Sequence, residues 1–284
     1  MSLSGLTLIG ESINDSVPST QALFEANDLP GLQKLAHSQA ELGAAYIDVN
    51  VGSRSPAFMT EMVQALQTVI KTPLSIDSPD LELARAGLEA YDAKVGVPIL
   101  NSISPLRLEM FELLSIKPFR PILLASEGLQ NGESIQCRTA EQTYAAAKQL
   151  IEKAHHHGIT NADCIIDPGI APLASDMENN IHRLMGTLRL IQADPEFKGV
   201  HISVGLSNFT IMLPPKRPDG SPVKVPLASA FLTRAMPLGL DMIIGSAKAA
   251  YTLLSEDHPA LQCFDNCLAA DGFEVLECVQ TFIL

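Results

Sequence analysis

Residues 45–78 read AYIDVNVGSRSPAFMTEMVQALQTVIKTPLSIDS. An apolar run, Ala45–Val51, passes into a stretch of helical period, Met59–Ile70, and a second apolar run follows at Pro73–Ile76. Short apolar runs of this kind suit strands buried on both faces, and the amphipathic stretch between them suits a crossover helix. The unit therefore predicts two parallel strands joined by a right-handed crossover. It recurs along the chain. The further strand candidates are Leu6–Ile9, Val97–Leu100, Arg120–Leu124, Asp163–Ile166, Gly199–Gly205 and Leu240–Ile244. The helix candidates are Leu32–Leu42, Met59–Ile70, Leu81–Tyr91, Leu106–Leu114, Ala140–His156, Asn179–Ile191, Leu227–Ala235 and Ala247–Leu254. Eight alternating units in 284 residues predict a (β/α)8 TIM barrel, with an open doubly wound sheet as the alternative. Against the open sheet, no Gly-x-Gly-x-x-Gly follows the first strand and no Gly-x-x-x-x-Gly-Lys-Ser/Thr occurs. We expect one domain over residues 1–284, with 256–284 as a C-terminal helical extension.

Composition narrows the function classes. Nineteen Lys and Arg against thirty-two Asp and Glu give a net charge of −13, a poor match to nucleic acid. Hydrophobic residues at 46% allow a large core, and no apolar stretch reaches the roughly 18 residues of a membrane helix. The start, Met1-Ser2-Leu3-Ser4-Gly5, lacks the basic and apolar regions of a signal peptide, so the expected location is the cytoplasm. Five scattered cysteines, Cys137, Cys164, Cys263, Cys267 and Cys278, suit free thiols better than a disulfide framework. Neither the Cys263, Cys267, Cys278 spacing nor His155-His156-His157 matches a metal site.

A parallel barrel builds its site from the C-terminal ends of its strands. Those ends carry Gly10-Glu11-Ser12-Ile13-Asn14, Asp48-Val49-Asn50-Val51-Gly52, Asp77-Ser78, Asn101-Ser102, Asp167-Pro168-Gly169 and Gly205-Leu206-Ser207-Asn208. Six of eight ends offer Asp, Asn or Glu, and none offers Lys, Arg or His. Carboxylates and carboxamides without cations suit a neutral heterocycle rich in N–H groups, whereas a phosphate calls for Arg, Lys or a glycine-rich loop. Two other readings stand beside this one. Asp48, Asp77 and Asp167 can form an oxygen cage for a divalent cation, and Asp or Asn at a strand end can simply cap the next helix.

The ordered series Gly10-Glu11-x-x-Asn14, Asp48-x-Asn50-x-Gly52, Asp77-Ser78, Asn101-Ser102, Asp167-Pro168 and Gly205-Leu206-Ser207-Asn208 resembles the pterin-binding methyltransferases. These include the methyltetrahydrofolate:corrinoid methyltransferases and the folate domain of cobalamin-dependent methionine synthase. The similarity spans nearly the whole chain and implies a pterin-binding barrel related to dihydropteroate synthase. It further implies that Asp77, Asn101 and Asp167 bind the pyrimidine edge of the pterin as ionised carboxylates and an amide, and that Asn208 acts at N5. Glu11, Asn14, Asp48, Asn50, Gly205, Ser207 and Arg217 complete the implied substrate-binding set. The implied reaction moves a methyl group between tetrahydrofolate, or its 5-methyl form, and a corrinoid supplied by a partner protein. No metal is expected in the chain itself.

The series departs from the family at Ser12, where a basic residue is common, and at Ile211, where some relatives carry Gln. Arg217 matches by position an Arg that contacts substrate in some relatives. Two alternatives remain: a dihydropteroate synthase-like enzyme, and a non-catalytic folate-binding subunit. The first is disfavoured by Ser207-Asn208-Phe209-Thr210, which lacks the Lys and Arg that hold a leaving pyrophosphate. The apolar tail, including Phe264, Phe273, Phe282 and Leu284, is expected to form a homodimer interface or a barrel cover.

Overall fold

The computed structural model describes residues 3–130 and 132–284. Eight parallel strands close into a barrel: β1 (Thr7–Asn14), β2 (Tyr46–Asn50), β3 (Leu74–Asp77), β4 (Ile99–Ile103), β5 (Arg120–Leu124), β8 (Ile165–Asp167), β9 (His201–Gly205) and β10 (Met242–Gly245). Between β5 and β8 an antiparallel hairpin, β6 (Glu127–Gln130) and β7 (Glu133–Gln136), stands apart from the barrel sheet. The helices are α1 (Pro18–Glu25), α2 (Leu29–Glu41), α3 (Pro56–Gln67), α4 (Leu81–Ala90), α5 (Ala140–His156), α6 (Asn180–Ala193), the single turn α7 (Leu206–Phe209), α8 (Lys224–Ala235), α9 (Pro259–Ala269) and α10 (Phe273–Ile283).

Strand period 2 explains how the barrel places its site. Ile9, Ile99, Ile122, Ile165 and Met242 meet inside the barrel as a separate, fully buried layer. Two residues further along the same strands, on the same face, come Glu11, Asn101, Leu124, Asp167 and Ile244. Ile47 and Val49 of β2 point the other way, into the core between strands and helices, which leaves Tyr46, Asp48 and Asn50 on the inner side. Thus one alternation gives an apolar floor and a polar mouth. Fully burying one such Ile contributes about 1.5–3 kcal/mol, so the floor also resists slippage of the strand register.

Several expectations need correction. Ala247–Leu254 is not helical; the outer helix after the last strand is α9. Two N–H groups of that segment go to side chains of α8 instead of a helix ladder: Thr252 N donates to Ser229 Oγ (3.1 Å) and Leu254 N to Thr233 Oγ1 (3.0 Å). The stretch expected as helix at Leu106–Leu114 forms a 3-10 helix over Leu108–Ser115. The first strand extends to Asn14, with a register shift between Gly10 and Ile13. Neither α1 nor the β6–β7 hairpin was expected. The tail holds two helices, and most of its apolar side chains, Phe264 and Val275 among them, are buried in the chain's own core.

Candidate functional site

The C-terminal strand ends enclose a cavity of about 360 Å³. Its walls are Glu11 and Asn14 from β1, Asp48, Asp77, Asn101 and Ser102, Leu124, Ser126, Asp167, Gly169 and Ile170, Gly205, Asn208 and Ile244. No Lys, Arg or His lines it among the described residues. Of the residues expected from sequence, Glu11, Asn14, Asp48, Asp77, Asn101, Asp167, Gly205 and Asn208 meet here.

Asn50 and Ser207 stand one layer out and hold lining groups in place. Asn50 Nδ2 donates to Asp77 Oδ2 (2.8 Å), while its Oδ1 accepts from Gly52 N (2.9 Å). The Ser207 hydroxyl donates to Glu11 Oε1. Arg217 is a correction. Its guanidinium lies over the Phe282 ring, 3.6 Å from the centroid, and faces a separate cleft beside α9 and α10. The loop turns it toward the tail because a flat guanidinium packs well on an aromatic face.

The strand-end residues are not helix caps. Asp28, Ser55, Asp80 and Thr139 cap α2, α3, α4 and α5. Instead, Asp167 Oδ1 accepts from Gly169 N (2.7 Å) and Asn14 Oδ1 from Ser16 N (2.8 Å), each closing the turn after its own strand. One side-chain atom shapes the turn and the other stays available to the cavity.

Burial dominates the electrostatics. Asp48 is 1% exposed, and burial, reinforced by the charge of Asp77, pushes its carboxyl well above the usual range. Burial also raises Asp77, opposed by hydrogen bonds from Asn50 and Asp48 and by the charge of Arg107. Two neighbouring carboxyls in such a place share a proton rather than both ionise. Asp167 rises to about 6 through burial, against the Gly169 N–H and the Arg183 charge. Burial raises Glu11 too, against the Ser207 hydroxyl. Burial here outweighs the donors that the protein itself supplies; the expected ionised form has the N–H donors of a bound pterin beside it. Asp48 Oδ1 has no hydrogen-bond partner among the described residues. A buried acceptor without a partner costs free energy, and a ligand N–H would recover it.

Asn208 follows β9 in the single turn of α7, anchored by its neighbour Phe209. The Phe209 ring packs on Phe231 of α8 and Phe264 of α9, with centroids 5.3 and 6.0 Å away. Gly205 leaves room for the amide: a Cβ there would lie 2.9 Å from Asn208 Nδ2. The β4 end carries a cis peptide bond between Asn101 and Ser102. The expected set lacked the lining residues Ser102, Leu124, Ser126, Gly169, Ile170 and Ile244, and two cations just behind the wall, Arg107 and Arg183. The Asp-Pro-Gly turn was a signal for Gly169; nothing in the helical periodicity marked the arginines. No group of three or more His, Cys, Asp or Glu among the described residues is arranged to hold a metal ion.

Comparison with known proteins agrees with the geometry. A family described as pterin binding enzymes matches residues 13–245. The methylcorrinoid:tetrahydrofolate methyltransferase of Eubacterium limosum is 28% identical over 251 residues, 84% of each chain. The dihydropteroate synthase of Synechocystis sp. is 29% identical over 203 residues, 64% of this chain and 65% of that one. Among solved structures, dihydropteroate synthase from Thermus thermophilus superposes with a TM-score of 0.57 at 19% identity, covering 86% of this chain and 89% of that chain, which shows the fold.

Proposed function

The chain belongs to the pterin-binding enzymes, and from that premise we propose that it moves a methyl group between N5 of tetrahydrofolate and the cobalt of a corrinoid carried on a partner protein. The observation that carries this reading is the chemistry of the cavity wall: buried carboxyls and, among the described residues, one carboxyl oxygen without a partner and no lining cation. A pterin's pyrimidine edge presents a 2-amino group and ring N–H donors to such acceptors. The pyrophosphate leaving group of a dihydropteroate synthase reaction would need Lys or Arg, and Ser207-Asn208-Phe209-Thr210 offers neither. The methylcorrinoid-dependent relative from Eubacterium limosum, matched over most of both chains, supports the same choice.

In this reading Asp77, Asn101 and Asp167 hold the pyrimidine edge. Asp77 and Asn101 are paired in register on adjacent strands, which suits side-by-side contacts to one planar edge. Pterin N–H donors would offset part of the desolvation of these carboxyls and pull them toward the ionised form. Asn208 stands at the methyl-bearing nitrogen. A tertiary amine leaves poorly unless hydrogen-bonded or protonated, and a carboxamide can orient toward an N5 proton or a bridging water as charge develops there. An amide has no titratable proton in the working range, so its role is stabilisation rather than acid catalysis. The cobalt centre, a substrate here, supplies the nucleophile or the methyl group. Five free cysteines suit a reducing compartment, and we place the protein in the cytoplasm on that ground.

The test is a paired incubation of the pure protein. One arm contains dihydropterin pyrophosphate and p-aminobenzoate; the other is a calorimetric titration with 5-methyltetrahydrofolate. The reading expects saturable folate binding and no dihydropteroate. Dihydropteroate formation would replace it with the synthase alternative.

A further inference from the structure

Arg183 of α6 is 6% exposed. Its Nη1 donates to Pro168 O (2.5 Å) and Thr143 Oγ1 (3.1 Å), and its Nη2 donates to Gly169 O (2.9 Å). The guanidinium thus ties α5 and α6 to the turn that follows Asp167. No carboxylate lies at ion-pair distance from it among the described residues, and its Nε has no partner. A buried cation without a direct counterion is expensive, and two backbone carbonyls are a modest return if holding the turn were its whole purpose. Methionine would fill the space without that cost.

The turn it grips carries a lining group on each side. Asp167 Oδ1 accepts from Gly169 N, so fixing the Gly169 carbonyl also fixes the donor that orients the carboxyl. Gly169, at φ +72, is pressed against Ser126; a Cβ there would lie 2.4 Å from Ser126 Cβ. The turn therefore cannot shift toward β5, and Arg183 prevents it from shifting away.

We propose that Arg183 is a positioning residue that locks the Asp167–Gly169 turn and supplies the buried positive charge facing the Asp167 carboxylate across it. The inference rests on the reading of Asp167 as a pterin ligand. The charged and titratable groups around this pair are few. Glu11, Asp48 and Asp77 share the cavity with Asp167; Cys137 and Asp176 face Arg183. The carboxylic acids among them add negative charge as pH rises, so Arg183 is, among the described residues, the cation whose charge opposes burial at Asp167. A folate N–H would then meet an oriented anion instead of a neutral acid.

The experiment uses the whole chain with 13C-labelled aspartate carboxyls, titrated by NMR with the Asp167 signal assigned through Asp167→Asn. The wild-type midpoint should fall near 6. Arg183→Gln keeps a donor for the turn but removes the charge, and should raise the midpoint by about one pH unit. Arg183→Lys keeps the charge and should stay within half a unit. An unmoved midpoint in Arg183→Gln, or equal movement in both variants, overturns the proposal. Should the glutamine variant not fold, the wild-type chain labelled with 15N-arginine decides: the Arg183 side-chain resonances should shift at the Asp167 midpoint, and their failure to shift refutes the coupling. A folate titration in parallel separates the two readings. Midpoints that move as stated in a protein that binds no folate leave the Arg183 inference standing and remove the proposed function.

Discussion

Replacing Gly205 with Ala isolates the position of Asn208 from everything else in the cavity. Gly205 sits at φ −73, ψ 79, a conformation open to alanine, so the substitution adds no backbone strain. The new methyl would lie 2.9 Å from Asn208 Nδ2, where ordinary contact begins at 3.4 Å. The amide must therefore yield by about 0.5 Å, and as the end of a side chain it can do so cheaply. Stability should change by less than about 0.5 kcal/mol, within the range of substitutions that break no named feature. The rate should respond more. A misplacement of about 1 Å at a reacting centre can cost about 100-fold, so half of that predicts a loss of roughly 10-fold in methyl transfer. Folate affinity should stay within about 2-fold, because the pyrimidine-edge residues are on other strands. The assay is single-turnover transfer between 5-methyltetrahydrofolate and reduced cobalamin, followed by cobalamin absorbance, beside an equilibrium folate titration. A wild-type rate in Gly205→Ala, or an affinity loss as large as the rate loss, would show that the placement of the Asn208 amide does not set the rate.

Asn208→Ala should go further and lower the saturated rate by roughly 10²–10³-fold with a smaller effect on binding; equal losses in both would make Asn208 a binding residue only. Asp167→Ala should cost about 1–3 kcal/mol of folate binding by leaving pterin donors unpaired, as read by calorimetry. Because Asp167 has a folded pKa of about 6 against an ordinary 3.8, its contribution to stability is full below pH 3.8 and lost as pH rises through 6; thermal melts of wild type and Asp167→Asn should diverge across that window and nowhere else. Asn50→Ala removes the donor to Asp77 Oδ2 and should weaken folate binding by about 1–3 kcal/mol at unchanged helix content by circular dichroism. Exposed Phe273 and Leu284, at 61% and 90%, are the tail side chains left for a homodimer contact, and light scattering at micromolar concentration should give twice the chain mass; a monomer removes that expectation.

The barrel was legible because its signal is repetitive. Each barrel strand announces itself by a short apolar run, and most crossovers by a 3.6 period, so errors in single elements do not disturb the count. The inward polar residues were legible for the same reason: Asp77, Asn101 and Asp167 directly follow their apolar runs and Asp48 interrupts its own, and strand alternation points them inside. What escaped depends on partners distant in sequence. Ala247–Leu254 has helix-forming composition, yet Ser229 and Thr233, about twenty residues earlier, take its N–H groups. The position of Arg217 is decided by Phe282, at the far end of the chain. Arg183 lies within a helical apolar pattern, and only the folded turn at Pro168 and Gly169 explains a guanidinium there.

Methyl transfer between a folate nitrogen and cobalt is decided by mixing the pure protein with 5-methyltetrahydrofolate and reduced cobalamin under anaerobic conditions. The absorbance of reduced cobalamin should decay into that of methylcobalamin at a rate proportional to enzyme, and demethylated tetrahydrofolate should appear in equal amount. Saturable folate binding with no change in cobalamin absorbance, in either direction of the reaction, would contradict it.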